Sequence, residues 1–253
     1  VSLALLLLGS RILQRVVYPA SNSLVPRLES LPQDPAIQVF FNQSEASVYT
    51  DPYRQTERYG DNLEQVITTA IDQATETIDV AVQALNLPNI ASALVRSAQR
   101  GVQVRLILED QYSQWEDAQI ALGMGFEGEV ANALQILDQG NIARIDDTAD
   151  GSRGSGLMHH KFVVVDGRFV IASSANFTLS GIHGDMDSDE SRGNANAIMR
   201  IEDSAIAKAF TTEFEYMWGD GPAGQPDSQF GLQKPYREAK SFVLTGTPRT
   251  RNT

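Results

Sequence analysis

The sequence predicts an α/β protein, a mixed sheet flanked by helices, and three observations predict it. Between Ala36 and Leu108, short β-branched runs alternate with segments whose apolar residues repeat at helical spacing. An Asp-Gly pair at 166–167 joins two further apolar runs, the strongest short-range hairpin signal. At 253 residues and 42% hydrophobic, the chain can bury one sizeable core.

The elements follow in order from position 36. Ile37 to Phe41 reads as a strand, and a polar loop leads to a helix with Leu63, Val66, Ile67, Ala70, Ile71 and Ala74 on one face behind an Asp61 cap. Ile78 to Val82 is the next strand. A helix bearing Ile90, Ala91, Leu94, Val95 and Ala98, capped by Asn89 and stopped by Gly101, leads to a buried strand from Val102 to Leu108. A strand, helix and strand in that sequence imply a parallel crossover. Val130, Ala133, Leu134 and Leu137 mark a helix ended by Gly140, and a strand covers Ile142 to Ile145. After the hairpin, Ala197 to Ile201 is a strand and Asp203 caps a helix facing inward through Ile206, Ala209, Phe210, Phe214, Met217 and Trp218.

Three regions result. Residues 1–35 hold the leucine run Leu3 to Leu8 and a Ser/Pro-rich tether, which read together as a targeting or anchor segment. Six apolar residues are too few to span a bilayer, which needs roughly 20. Export or membrane anchoring is the expectation. Residues 36–218 form the main α/β domain, and the Gly/Pro-rich stretch from Gly219 opens a tail or linker over 219–253. The chain has no cysteine, so thiolate chemistry and zinc held through sulfur are excluded. Its net charge is −12, and polyanion binding rests on neutralising phosphates. Nucleic acid is accordingly the weaker partner class.

The chemistry concentrates in MHHKFVVVDGRFVIASSANFT, where His159, Lys161 and Asp166 spell H-x-K-x4-D. On a strand from Met158 to Val165, residues two apart share a face, so His159 and Lys161 project together and His160 points away. A histidine can attack phosphorus, a lysine can hold phosphoryl oxygens, and Asn176 adds a further donor. The strand from Arg168 to Ser173 returns Ser174 and Asn176 beside the histidine. Other polar groups read more plainly. Glu109-Asp110 and Asp146-Asp147 are loop acids, His183 is a loop histidine, and Gly151 to Gly156 is a connector with Arg153 as a candidate headgroup contact. That connector lacks the Lys-Ser or Lys-Thr of a P-loop.

His159, Lys161, Asp166, Ser174 and Asn176 match H-x-K-x4-D-x6-G-S-x-N, and through them the chain resembles the phospholipase D superfamily. Ser173 stands where that pattern has glycine. The later N-x-E-N element is represented by Gly193-Asn194-Ala195-Asn196, which lacks the glutamate. The resemblance implies a phospholipase D-like half-unit in which His159 forms a phosphohistidine and Lys161 and Asn176 stabilise charge on the phosphoryl oxygens. It further implies that Asp166 orients an imidazole, that Ser174 and Asn196 contact substrate, and that neither metal nor other cofactor is needed.

The implied mechanism uses two histidines from two motifs, and this chain carries one motif. The complementary copy comes either from a homodimer mate or from a second half of a longer protein. Phospholipid hydrolysis is the first expectation, at a membrane surface. A metal-independent endonuclease is the second, and a non-catalytic pairing module, motivated by the missing glutamate and second motif, is the third.

Overall fold

A computed structural model describes residues 24–30, 32–113, 133–152, 157–184, 191–220, 227–236 and 241–243. Nine strands appear there: β1 (Ile37–Phe41), β2 (Val48–Thr50), β3 (Glu57–Tyr59), β4 (Thr77–Val82), β5 (Gln103–Leu108), β6 (Ala143–Asp146), β7 (Lys161–Val165), β8 (Phe169–Ser173) and β9 (Ala197–Ile201). The helices are α1 (Leu63–Asp72), α2 (Pro88–Gln99), α3 (Asp110–Ser113), α4 (Ala133–Gln139), α5 (Leu179–Ile182) and α6 (Ser204–Trp218). Seven strands form one sheet in the order β1-β9-β8-β7-β4-β5-β6. β4, β5 and β6 run parallel, and every other pairing in that sheet is antiparallel. The expected mixed sheet and parallel crossover are both present.

Alternation along the central strands divides the core in two. Ile78, Val80 and Val82 of β4 with Val163 and Val165 of β7 pack against Leu63, Ile67, Ile71, Ile90 and Leu94 from α1 and α2. Ala81, Phe162 and Val164 face the other way, onto Phe214, Met217 and Trp218 of α6. A charged group joins that second face: buried Asp79 of β4 accepts from Arg105 Nε at 2.7 Å and Nη2 at 3.0 Å. Arg105 also donates to Glu215 of α6 at 2.7 Å, so this pairing fixes the helix to the sheet.

The helix starts refine two expectations. Asn62 rather than Asp61 caps α1, its side chain accepting from Gln65 N, while Asp61 accepts from Phe41 N at the edge of β1. Pro88 opens α2 directly after Leu87, and Asn89 instead reaches Glu64. Asp203 caps α6 as its position suggested, accepting from Ala205 N and Ile206 N. The loop after β1 contains the β2–β3 hairpin, held at its turn by Asp51, which pairs with Arg54 and Arg58. The region after Gly219 is more than a tail: Phe230 is buried against α6 and Ser228 donates to Trp218 O. Residues 1–23 and Arg153 lie outside the described residues. Among the described residues no helix is long and apolar enough to cross a membrane.

Candidate active site

The site forms where β4 ends and β7 begins. These strands are antiparallel with Val82 opposite Lys161, and the pairing continues beyond them, since Gln83 N donates to His160 O at 3.0 Å. The segment after β8 is drawn to the same place. Phe177 N donates to Ala84 O, Asn86 N donates to Phe177 O, and Leu179 N donates to Asn86 Oδ1, each at 3.0 Å. These bonds place Asn176 beside Gln83.

His159 is exposed and, with His160, Asp147, Phe230 and Lys234, lines a pocket of about 340 Å³. Lys161 is half-buried, and its Nζ donates to Gln83 Oε1 at 3.3 Å and to His159 O at 3.2 Å. Burial depresses the Lys161 ammonium below the usual lysine range. Among the described residues two of its three donors are thus engaged, and one is left for a ligand. Asn176 Nδ2 donates to the same Gln83 Oε1 at 3.3 Å, and Asn176 Oδ1 is buried with no hydrogen-bond partner among the described residues. At this sheet end Lys161 and Asn176 meet on Gln83, and the exposed His159 precedes β7, which begins at Lys161 rather than at the expected Met158. A cation, an amide and an exposed imidazole so arranged suit an anionic phosphoryl group.

Asp166 does not join them, and its expected role needs correction. It occupies the β7–β8 turn, about 15 Å of strand away from Lys161. Its φ is +52°, and Gly167 follows at +56°, the left-handed pair that a tight hairpin turn requires. Its carboxylate accepts from Thr75 N at 3.0 Å, Thr75 Oγ1 at 3.0 Å, Glu76 N at 2.8 Å and Thr77 N at 2.9 Å. Burial would raise this carboxyl, but the Thr77, Glu76 and Thr75 donors outweigh it and hold the group below the usual carboxylate range. In this chain Asp166 fastens the hairpin turn to the start of β4 and does not orient His159.

The two expected substrate contacts are engaged with the protein. Ser174 Oγ donates to Asn196 Oδ1 at 2.8 Å and accepts from Ala197 N at 3.0 Å. Asn196 Nδ2 donates to Gly181 O at 2.8 Å, and Asn196 N donates to Asn42 Oδ1. Both residues brace the loop around α5. Ser174 keeps an exposed surface.

His183 is fully buried rather than a plain loop residue. Its ring lies 3.0 Å from Tyr49 Oη on one side and 3.0 Å from Glu64 Oε2 on the other, which ties α5 to the β2–β3 hairpin and to α1. His160 turns toward α6, with its ring against Phe162 and Nε2 3.3 Å from Glu213. The polar residue that sequence reasoning missed is Gln83. It is a lone amide behind an apolar strand, and its partners stand 78 and 93 positions away.

The loop acids also converge. One oxygen each from Glu109, Asp110 and Asp147 lies within 4.8 Å of the others, close enough together to hold a cation. Burial, then Asp110 and Asp147, push the Glu109 carboxyl up to about 7.

Residues 67–218 match the family described as cardiolipin synthase, PLD-like domain. The chain belongs to that family, within the phospholipase D superfamily. Among curated relatives, it is 30% identical over 146 residues to a mitochondrial cardiolipin hydrolase from Xenopus tropicalis, covering 58% of this chain and 56% of that protein. It is 26% identical over 160 residues to the human protein of the same name, covering 63% and 52% respectively. A phospholipase D from Rickettsia conorii is 25% identical over 144 residues, covering 57% and 58%. The chain thus spans little more than half the length of these relatives. Among solved structures, Nuc, a phospholipase D family member from Salmonella typhimurium, gives a TM-score of 0.49 at 20% identity, covering 72% of this chain and 93% of that one.

Proposed function

We propose that this chain is a phosphodiesterase that hydrolyses phospholipid through a phosphohistidine on His159. The observation that carries the reading is the convergence of Lys161 and Asn176 on one amide, with Lys161 two residues after an exposed imidazole that lines a pocket. A nitrogen of His159 attacks phosphorus while the bond to the leaving oxygen breaks, and a complementary histidine gives that oxygen its proton. Water then attacks phosphorus, its proton passes to the same complementary histidine, and the N–P bond breaks. Lys161 and Asn176 offset the charge on the non-bridging oxygens during both steps. A second copy of this chain, related by a two-fold axis, supplies the complementary histidine. Lipid is favoured over nucleic acid by the net charge of −12, and the names of the curated relatives point the same way.

The test uses an aryl phosphodiester and phospholipid vesicles, both in EDTA. His159→Ala should remove turnover of both, and acid-quenched wild type should carry label from a labelled diester on its imidazole. Turnover unchanged in the variant would end this reading.

A further inference from the structure

Gln83 sits behind the two groups assigned to the phosphoryl oxygens. It is buried, with 7% of its surface exposed. Its backbone is stitched on both sides, donating to His160 O and accepting from Glu109 N. Only its side-chain amide remains to respond to the site. One oxygen of that amide accepts from both Lys161 and Asn176.

The donor inventory fixes the direction of this network. An ammonium has donors only, so it turns the oxygen of Gln83 toward Lys161. That same oxygen then turns the amino group, rather than the oxygen, of Asn176 toward Gln83. Reversing the Gln83 amide would set its NH2 against the Lys161 ammonium. Reversing the Asn176 amide would set two carbonyl oxygens against each other. A single cation thus dictates two amide orientations in series.

The neutrality of Gln83 matters equally. A carboxylate here would hold Lys161 in the same place while cancelling its charge, leaving nothing net for an anion. A neutral acceptor orients the ammonium and leaves the charge available. We infer that Gln83 is a positioning residue, which holds the Lys161 ammonium and the Asn176 amide on one uncharged oxygen so that both present to a phosphoryl group.

The inference rests on the proposed phosphodiesterase reading for its purpose, and the experiment separates the two. The chain has four lysines, so ε-carbon NMR of labelled lysine resolves Lys161, assigned by its loss in Lys161→Met. Titrations of wild type, Gln83→Leu and Gln83→Glu are paired with inorganic phosphate binding and with turnover of the aryl diester. Gln83→Leu removes an acceptor from the charged form, so the Lys161 midpoint should fall. Gln83→Glu adds a negative charge, so it should rise. Both variants should bind phosphate about tenfold more weakly, one for lack of orientation and one for lack of net charge. Opposite shifts of the Lys161 midpoint with a shared loss of phosphate affinity support the inference, even if wild type turns over no diester. An unmoved midpoint in both variants, or phosphate affinity equal in all three proteins, overturns it, even if turnover is intact. Should Gln83→Leu not fold, the upward shift and weakened phosphate binding of Gln83→Glu decide alone.

Discussion

The two ends of the β7–β8 hairpin carry parts of one sequence motif and differ in how far their polar groups are satisfied. At the turn, the Asp166 carboxylate accepts from four donor groups and gains a depressed pKa from them. At the open end, His159 is exposed, Lys161 keeps a spare donor, and Asn176 Oδ1 is buried without a partner among the described residues. A saturated cluster stabilises a fold, whereas an unsaturated one is ready to bind. Residues that sit five or seven positions apart in sequence therefore do different work, and H-x-K-x4-D is one signature covering two physical roles.

Substitutions at the two ends should separate activity from stability. The largest effect is expected from His159→Ala, which removes the proposed nucleophile: turnover of an aryl phosphodiester should fall by about 10⁴-fold or more. Its melting temperature should stay within about 2 °C of wild type, because an exposed side chain with no hydrogen bond among the described residues is lost. Asp166→Ala should do the reverse. It strands the N–H groups of Thr75, Glu76 and Thr77, with a cost of roughly 2 kcal/mol measured by denaturant unfolding. Its kcat at a temperature where it remains folded should lie within about threefold of wild type. A rate collapse in a stable Asp166→Ala protein would mean that the turn reaches the chemistry after all. The stability that Asp166 contributes is present above its unfolded pKa of about 4 and is lost as pH falls through its lower folded value.

The same contrast explains what was legible in the sequence. Strands with period-2 alternation, the Asp-Gly turn and the Asp203 cap are local, so their residue types announce them. The H-x-K spacing keeps His159 two residues from Lys161, but β7 begins at Lys161 rather than at the expected Met158, so His159 precedes the strand. What the sequence hid depends on partners far along the chain. Asp166 meets Thr75, Glu76 and Thr77 from about 90 positions away, and nothing near it in sequence distinguishes a turn anchor from an imidazole partner. Gln83 gains meaning only when β4 lies against β7. The β2–β3 hairpin has strands of three residues, too short for periodicity, and owes its form to Asp51 and two arginines. Phe230, in a stretch that reads as linker, is placed by the buried apolar cluster that includes the inner face of α6.

Smaller effects sharpen the distinction between saturated and unsaturated groups. Glu109, crowded by Asp110 and Asp147, has a folded pKa raised to about 7. Its protonated form is favoured by folding, so the stability it contributes is fully present below its unfolded pKa, near 4.3, and is lost as pH rises through about 7. In EDTA, the melting temperature of wild type should therefore drop by a few degrees between pH 5.5 and pH 8. Glu109→Gln should flatten that slope, and an unchanged slope would remove Glu109 as its source. The smallest effect is expected from Ser174→Ala. Its hydroxyl is already spent on Asn196 and Ala197 at an exposed position, so stability should change by less than about 1 kcal/mol and kcat/KM by less than about threefold. A tenfold fall in kcat/KM at unchanged melting temperature would put that hydroxyl on the substrate, and the open end would then extend one residue further along the chain than its hydrogen bonds suggest.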